Sequence, residues 1–159
     1  MPSHDLDTID CRILAELQRD ATLAMDDLAE KVHLSRNACW RRIKQMEASG
    51  IIRARVALLD AGRLGCGLSV IVLIRTNAHS ADWMTRFDKA VREMPQIVGA
   101  HRMTGDLDYV LRVRVSDVAA YDAFYKDLIA RVPVSDISAS FVMEDIKDTT
   151  VLPLPDPAR

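Results

Sequence analysis

A basic helix is the most chemically distinctive stretch of this 159-residue sequence. It lies between residues 34 and 52, with Ser35 at an N-cap position and Gly50 where a helix would end. An apolar stripe at helical spacing is formed by Cys39, Ile43 and Met46. The opposite side carries Asn37, Arg41, Lys44 and Ala48. The spacing therefore predicts one helix with a packed face and a basic, amide-bearing face.

This pattern suits a helix that enters the major groove of double-stranded DNA. Arginine can donate two hydrogen bonds to guanine and asparagine can pair with adenine, while other cations meet phosphates. A solvated charged face is the alternative interpretation for an isolated helix. The predicted DNA-contacting residues are Ser35, Arg36, Asn37, Ala38, Trp40, Arg41, Arg42 and Lys44.

Charge is distributed unevenly along the first third of the chain. The formal net charge is −2, which argues against a protein that coats nucleic acid over its whole surface. Residues 1–30 hold eight acidic residues and two arginines, whereas residues 31–55 hold seven basic residues and one glutamate. Positive charge gathered on one element is the electrostatic pattern expected of a local DNA contact.

Two shorter helices are predicted before the basic helix. The first is capped by Asp7 and ends near Asp20, and the second covers about Met25–Val32, where Ala24 offers no side-chain cap. A tight turn at His33 then leads into the third helix. This arrangement predicts a helix-turn-helix. A generic three-helix bundle is the alternative, but it leaves the basic third helix unexplained.

The remainder of the chain predicts a β-α-β-β-α-β sandwich with both helices on one face of an antiparallel sheet. We expect an extended linker and a glycine-rich hinge over 53–67, Ser116 as a helix N-cap, and a further edge strand over 144–154 before a proline-rich tail. The predicted domains are 1–52 for DNA binding, 53–67 as linker, and 68–159 as an α+β domain. The predicted elements of that domain are Leu68–Thr76, Ala81–Met94, Ile97–Thr104, Asp108–Val115, Asp117–Arg131 and Val134–Val142.

Several function classes find no support in the sequence. The chain shows no catalytic constellation, no glycine-rich phosphate loop and no metal-ligand spacing among its histidines and three cysteines. No enzyme activity, metal or cofactor is therefore predicted. Asp106 and Asp108 could suggest acid–base chemistry, but turn aspartates beside glycine are more often structural. The absence of a signal peptide or a membrane-length apolar run leads us to expect a cytoplasmic protein.

Motifs along nearly the whole chain resemble the Lrp/AsnC family of leucine-responsive, or feast/famine, transcriptional regulators. They are D-x-x-D-x-x-I-L-x-x-L-Q-x-D at 7–20, L-S-x-x-x-C-x-R-R-I-K-x-M-E-x-x-G-I-I at 34–52, G-D-x-D-Y at 105–109 and F-V-M-E-x-I-K at 141–147. Many members have prolines in the first turn of the recognition helix, where this chain has Arg36, Asn37 and Ala38. The operator sequence therefore cannot be taken from relatives.

The resemblance implies a winged-type helix-turn-helix domain followed by an ACT-like ferredoxin-like domain that dimerises and binds an amino acid between subunits. Such dimers commonly assemble into octamers or related rings. Carried over by position, the effector-binding residues would be His101, Met103, Thr104, Gly105, Asp106, Asp108, Ser138 and Ser140.

Finer motifs look closest to a branch that responds to cysteine, which makes L-cysteine the expected effector. They are V-A-L-L-D, H-S-x-x-W, R-M-x-G-x-x-D-Y, Y-D-x-F-Y-K and T-T-x-L-P. The alternative from another class is an amino-acid-binding module or enzyme whose basic helix docks a protein or RNA partner.

Overall fold

The computed structural model describes residues 6–78 and 80–155, which divide into two compact units. The helical unit joins residues up to Ala57 with a C-terminal segment that begins at Lys147. The sheet unit spans Leu58–Ile146. Each unit has its own apolar core.

The helical unit contains three α-helices, α1 (Thr8–Arg19), α2 (Met25–Lys31) and α3 (Arg36–Ala48). The predicted caps are present at Asp7 and Ser35, and Ala24 begins α2 without a side-chain cap, as expected. One buried cluster holds the three helices together: Ile13, Leu14, Leu28, Ala29, Val32, Cys39, Ile43 and Met46. The predicted stripe of α3 is therefore confirmed as its packed face.

The turn between α2 and α3 closes α2 with a Schellman motif. The His33 amide donates to the Glu30 carbonyl, and the Leu34 amide donates to the Ala29 carbonyl. This geometry places His33 in the left-handed region, with φ +57°. Glycine is the usual residue there because a Cβ atom makes the conformation costly. The turn that precedes α3 therefore contains one strained residue, His33.

A carboxylate–guanidinium cluster joins α1 to α3. Arg42 Nη1 donates to Asp7 Oδ2 at 2.7 Å and to Asp10 Oδ1 at 2.8 Å. The Asp10 side chain is 3% exposed and that of Arg42 is 28% exposed, so the cluster is partly shielded from water. The Asp10 amide, followed by Arg42, holds the pKa of Asp7 below its ordinary value, while Asp10 and then Asp7 raise the pKa of Arg42. We call these three residues the acidic clamp.

The sheet unit has the predicted β-α-β-β-α-β order. Its elements are β1 (Leu68–Arg75), α4 (Ala81–Glu93), β2 (Ile97–Arg102), β3 (Tyr109–Val115), α5 (Val118–Arg131) and β4 (Asp136–Phe141). The strands form one antiparallel sheet in the order β2-β3-β1-β4.

Both helices of this unit cover the same face of the sheet. Trp83 and Phe87 of α4 and Phe124 and Leu128 of α5 share one buried cluster with alternate residues of β1 and β3. The opposite face of the sheet carries half-buried Ile71, Leu73 and Val110, which lie outside the cluster that the two helices share with the sheet. The chain thus forms an α+β fold whose sheet is covered by helices on one side.

Local details differ from the sequence-based expectations. Asp117, not Ser116, caps α5: its carboxylate accepts from the Ala120 amide at 2.8 Å, and Ser116 only donates to Asp117. The expected edge strand over 144–154 does not form, because the described part of that segment leaves the sheet and joins the helical unit. Residues 156–159 of the predicted tail lie outside the described residues. Residues 53–60 of the linker do not form a strand, and residues 61–65 form a turn.

Replacing His33 by glycine is expected to stabilise the helical unit. His33→Gly removes the Cβ atom from a left-handed residue and should raise the free energy of unfolding by about 1 kcal/mol, measured by chemical denaturation. His33→Ala, the matched control, keeps the Cβ atom and should give no gain. Equal stabilities for the two variants would show that the turn is not strained.

The acidic clamp should contribute to the loss of folding stability at low pH. Because the pKa of Asp7 is lowered in the folded chain, its contribution is present above the ordinary value of 3.8 and is lost as pH falls through the lowered pKa. Asp7→Asn keeps an N-cap acceptor but does not titrate. Between about pH 6 and about pH 3, wild type should lose more stability than Asp7→Asn. The free energy of unfolding is measured at each pH by denaturation monitored with circular dichroism. Equal losses of stability in wild type and Asp7→Asn would contradict this assignment.

Candidate nucleic-acid interface and effector site

The outer face of α3 is exposed and polar. Asn37, Arg41 and Lys44 are exposed, and Trp40 is 53% exposed beside them. A shallow open depression on this surface is lined by Ser35, Asn37, Ala38, Trp40 and Arg41. The burial of Cys39, Ile43 and Met46 fixes the rotation of the helix, so these polar side chains must point outward.

The hydrogen-bond and ion-pair partners of these side chains show which of them are held by the protein and which are available to a ligand. Within the described residues, the side chains of Asn37 and Arg41 have no hydrogen-bond or ion-pair partner. Lys44 pairs with Glu47 at 2.7 Å, and Arg36 with Asp26 at 3.6 Å, on exposed surface. Exposed ion pairs of this kind contribute little to stability, so a phosphate could replace either carboxylate at low cost.

Two further predicted contact residues, Ser35 and Arg42, are held by partners within the helical unit. The Ser35 hydroxyl accepts from the Ala38 amide at 3.3 Å as the N-cap of α3. The Arg42 guanidinium is held by the acidic clamp instead of extending from the exposed face. Sequence spacing alone could not separate Arg42 from Arg41, because the difference depends on the packing of α1 beside α3. The geometry gives Arg42 a positioning role.

Six of the eight predicted effector residues lie around the connection between β2 and β3. The Met103 amide donates to the Asp108 carbonyl at 2.8 Å, and Gly105 takes φ +103°, which only glycine adopts easily. His101, Met103, Thr104, Gly105 and Asp106 are all exposed. The connection is therefore a closed turn that presents backbone and side chains to solvent.

The two turn aspartates have different surroundings. Asp108 Oδ2 accepts from the Thr76 amide at 2.8 Å, and the Asp108 amide donates to the Ile74 carbonyl at 3.0 Å, so Asp108 anchors the turn to the end of β1. The Asp106 carboxylate has no partner among the described residues. Its backbone carbonyl accepts from Arg75 Nε at 2.9 Å. Asp106 is therefore the acidic group that the turn leaves available.

Ser138 and Ser140 are not brought to the turn within one chain. Ser138 aligns with Leu73, Leu73 with Val110, and Val110 with His101, so Ser138 and His101 occupy opposite edges of one row across the sheet. Three strand spacings separate these edges by roughly 14 Å. That span exceeds a small amino acid. The two serines could share a ligand with the turn only if they come from another subunit.

Sequence reasoning missed two residues beside the turn, Arg75 and Thr76. Arg75 also faces Asp136, with Nη1 3.5 Å from Oδ2, at the start of β4. Arg75 is the last residue of β1 and Thr76 follows it. Their proximity to the turn follows from the antiparallel pairing of β1 with β3 and β4. The position of Arg75 at the end of a strand could have indicated a place beside the turn, but only if the order of strands in the sheet were known.

Other kinds of site receive no support from the described residues. Among residues 6–78 and 80–155, no group of three acidic, histidine or cysteine side chains could hold a metal ion. No helix in the same ranges is long and apolar enough to cross a membrane. Burial raises the pKa of the Cys39 thiol, which disfavours the reactive thiolate.

Comparisons with known proteins match both units. Residues 6–53 match the family model for winged helix-turn-helix DNA-binding domains, and residues 69–152 match that for Lrp/AsnC ligand-binding domains. The glutamate uptake regulatory protein of Zymomonas mobilis is 48% identical over 151 residues, which cover 95% of this chain and 92% of the relative. The DNA-binding transcriptional activator DecR of Escherichia coli is 49% identical over 150 residues, covering 94% and 99%.

Solved structures of two transcriptional regulators are also similar to this chain. An AsnC-family transcriptional regulator from Agrobacterium tumefaciens has a TM-score of 0.90 and 53% identity, covering 93% of this chain and 97% of that one. A transcriptional regulator from Neisseria meningitidis, solved as a complex with L-methionine, has a TM-score of 0.89 and 35% identity, covering 94% and 97%. The chain therefore belongs to the Lrp/AsnC family: it is a DNA-binding transcriptional regulator with an amino-acid ligand-binding domain, and not an enzyme.

Proposed function

We propose that α3 reads operator DNA in the major groove and that a small amino acid bound between subunits modulates this binding. The observation that carries the proposal is that Asn37 and Arg41 are exposed and have no side-chain partner among residues 6–78 and 80–155, on a helix whose opposite face is buried. In this proposal residues 1–52 bind DNA, 53–67 connect, and 68–159 bind effector and assemble. The proposed location is the cytoplasm, because a transcriptional regulator must reach chromosomal DNA.

The side chains of α3 take different parts in the proposed contact. Asn37 and Arg41 reach base edges, because amide and guanidinium groups can form paired hydrogen bonds there. Arg36 and Lys44 leave their exposed carboxylate partners and meet phosphates. Trp40 and Ala38 supply apolar contacts, and Ser35 fixes the first turn of the helix. Arg42 acts through the acidic clamp, which holds α3 against α1.

The effector site is proposed at the turn over 103–108. The Met103 and Asp108 amides are already bonded within the protein, so the amides of 104–107 are the ones that can hold a carboxylate. The Asp106 carboxylate can hold an ammonium group. Support comes from the exposure of the turn and from the related Neisseria meningitidis regulator, which was solved with L-methionine. The finer motifs favour L-cysteine as the effector. Ser138 and Ser140 of another subunit form the opposite wall in this proposal, since one chain keeps them roughly 14 Å from His101.

Assembly is proposed through surfaces that one chain leaves uncovered. The open sheet face carries Ile71, Leu73 and Val110, and the linker over 53–60 exposes Val56 at 72% and Leu58 at 74%. Apolar surface of this kind favours burial against another copy. We propose a homodimer that assembles further into an octamer or a similar ring, in which an effector between subunits shifts the populated assembly.

The DNA contact can be tested at Arg41. Arg41→Ala should weaken binding to the chain's own upstream region by about 1–3 kcal/mol if the guanidinium reads a base. The measurement is fluorescence anisotropy with a labelled duplex at several salt concentrations. Arg63→Ala, which removes an 88% exposed arginine side chain of the sheet unit, is the matched control and should bind normally. Unchanged affinity and unchanged salt dependence for Arg41→Ala would remove this residue from the interface.

The effector site can be tested at Asp106. Asp106→Ala should abolish the effect of L-cysteine on duplex binding while leaving binding without the amino acid unchanged, because the ammonium loses its counter-charge. Thermal-shift measurements against all twenty amino acids identify whether another effector is preferred. Asp122→Ala on α5 is the control and should respond as wild type does. Retention of the full response by Asp106→Ala, or a joint loss of response and basal DNA binding, would refute the site assignment.

A further inference from the structure

The C-terminal segment is bound along α1 through its backbone. Gln18 Nε2 donates to the Leu152 carbonyl at 3.2 Å, and the Leu152 amide donates to Gln18 Oε1 at 2.7 Å. One carboxamide thus satisfies both backbone groups of one residue, as a neighbouring strand would. The Leu152 side chain is 70% exposed, so the contact at this residue depends on the backbone.

Two further contacts fix the segment on the helical unit. Leu154 is half-buried and packs against the core cluster that contains Cys39, Ile43 and Met46 of α3. The Cys11 thiol donates to the Pro155 carbonyl at 3.5 Å. The segment is therefore attached to α1 at Cys11 and at Gln18, and it packs one half-buried apolar side chain against the core of the helical unit.

These contacts connect the segment to the orientation of the recognition helix. The same helix α1 carries Asp7 at its cap and Asp10 in its first turn, which hold Arg42 of α3. Leu154 touches the cluster that supports the buried face of α3. Loss of the segment would thus affect α3 from two sides, through the clamp and through its packing.

We propose that residues 147–155 form a docked strap whose attachment to α1 orients the recognition helix and sets the affinity for DNA. Five residues, 142–146, separate the end of β4 at Phe141 from the strap, so the strap is a second covalent connection from the sheet unit to the helical unit besides the linker after α3. Release of the strap lowers DNA affinity, and docking restores it. This inference rests on the proposed use of α3 in DNA binding.

Docking is tested first without DNA. Amide hydrogen exchange resolved at Leu152 should be about tenfold slower in wild type than in Gln18→Ala, because the acceptor of that amide is removed. Leu152→Ala keeps the backbone groups and should retain the slow exchange. Equal exchange at this amide in wild type and Gln18→Ala would overturn the docked strap.

The effect on DNA is tested well below the unfolding midpoint of each variant. Gln18→Ala and Leu154→Ser should bind the duplex from the chain's own upstream region about three- to tenfold more weakly than wild type, and Leu152→Ala should match wild type. A merely structural role would lower the unfolding midpoint but leave the affinity of the folded protein unchanged, and that result would overturn the proposal. If wild type itself fails to bind the duplex, the proposed DNA contact is wrong, and hydrogen exchange alone decides whether the strap docks.

Discussion

The burial of one stripe on α3 is the constraint on which the rest of the structure depends. Cys39 and Met46 are completely buried and Ile43 nearly so, and no other rotation of the helix would bury these three side chains together. Their removal from water is worth about 1.5–3 kcal/mol for each large side chain. Asn37 and Arg41 are exposed as a consequence. The hydrophobic effect therefore sets the direction in which the polar groups point, and the acidic clamp fixes the helix against α1.

In the sheet unit, the turn between β2 and β3 combines an anchored backbone with exposed polar groups. Asp108 uses its carboxylate and its amide to attach the turn to the end of β1, which holds the backbone in place. Asp106, two residues earlier, keeps an exposed carboxylate. Rigid backbone donors next to one available charge can bind a zwitterion with little loss of conformational entropy. The structure thus separates the anchoring group from the group proposed to contact ligand.

The sequence predicted those features that local patterns determine. The stripe of α3, the Asp7 and Ser35 caps and the order of strands and helices follow from periodicity and hydrogen-bonding preferences over a few residues. The cap at Asp117 was misplaced by one residue, because serine and aspartate are both good N-caps and only the backbone conformation selects between them. The internal partners of Arg42 and the position of Arg75 could not be predicted, since each depends on contacts between elements distant in sequence. For the same reason the sequence alone suggests an edge strand over 144–154, because it does not reveal that the Gln18 side chain pairs with the Leu152 backbone.

The central claim is that the exposed cations of α3 meet the phosphates of double-stranded DNA, and a salt titration of the wild-type protein tests it most directly. The equilibrium constant for a labelled duplex from the chain's own upstream region would be measured over a range of salt concentrations. The account predicts a linear fall of log K with log salt, with a slope of about −0.9 for each phosphate neutralised and therefore several units for a dimer. Binding that is independent of salt, or no binding at low salt, would contradict it.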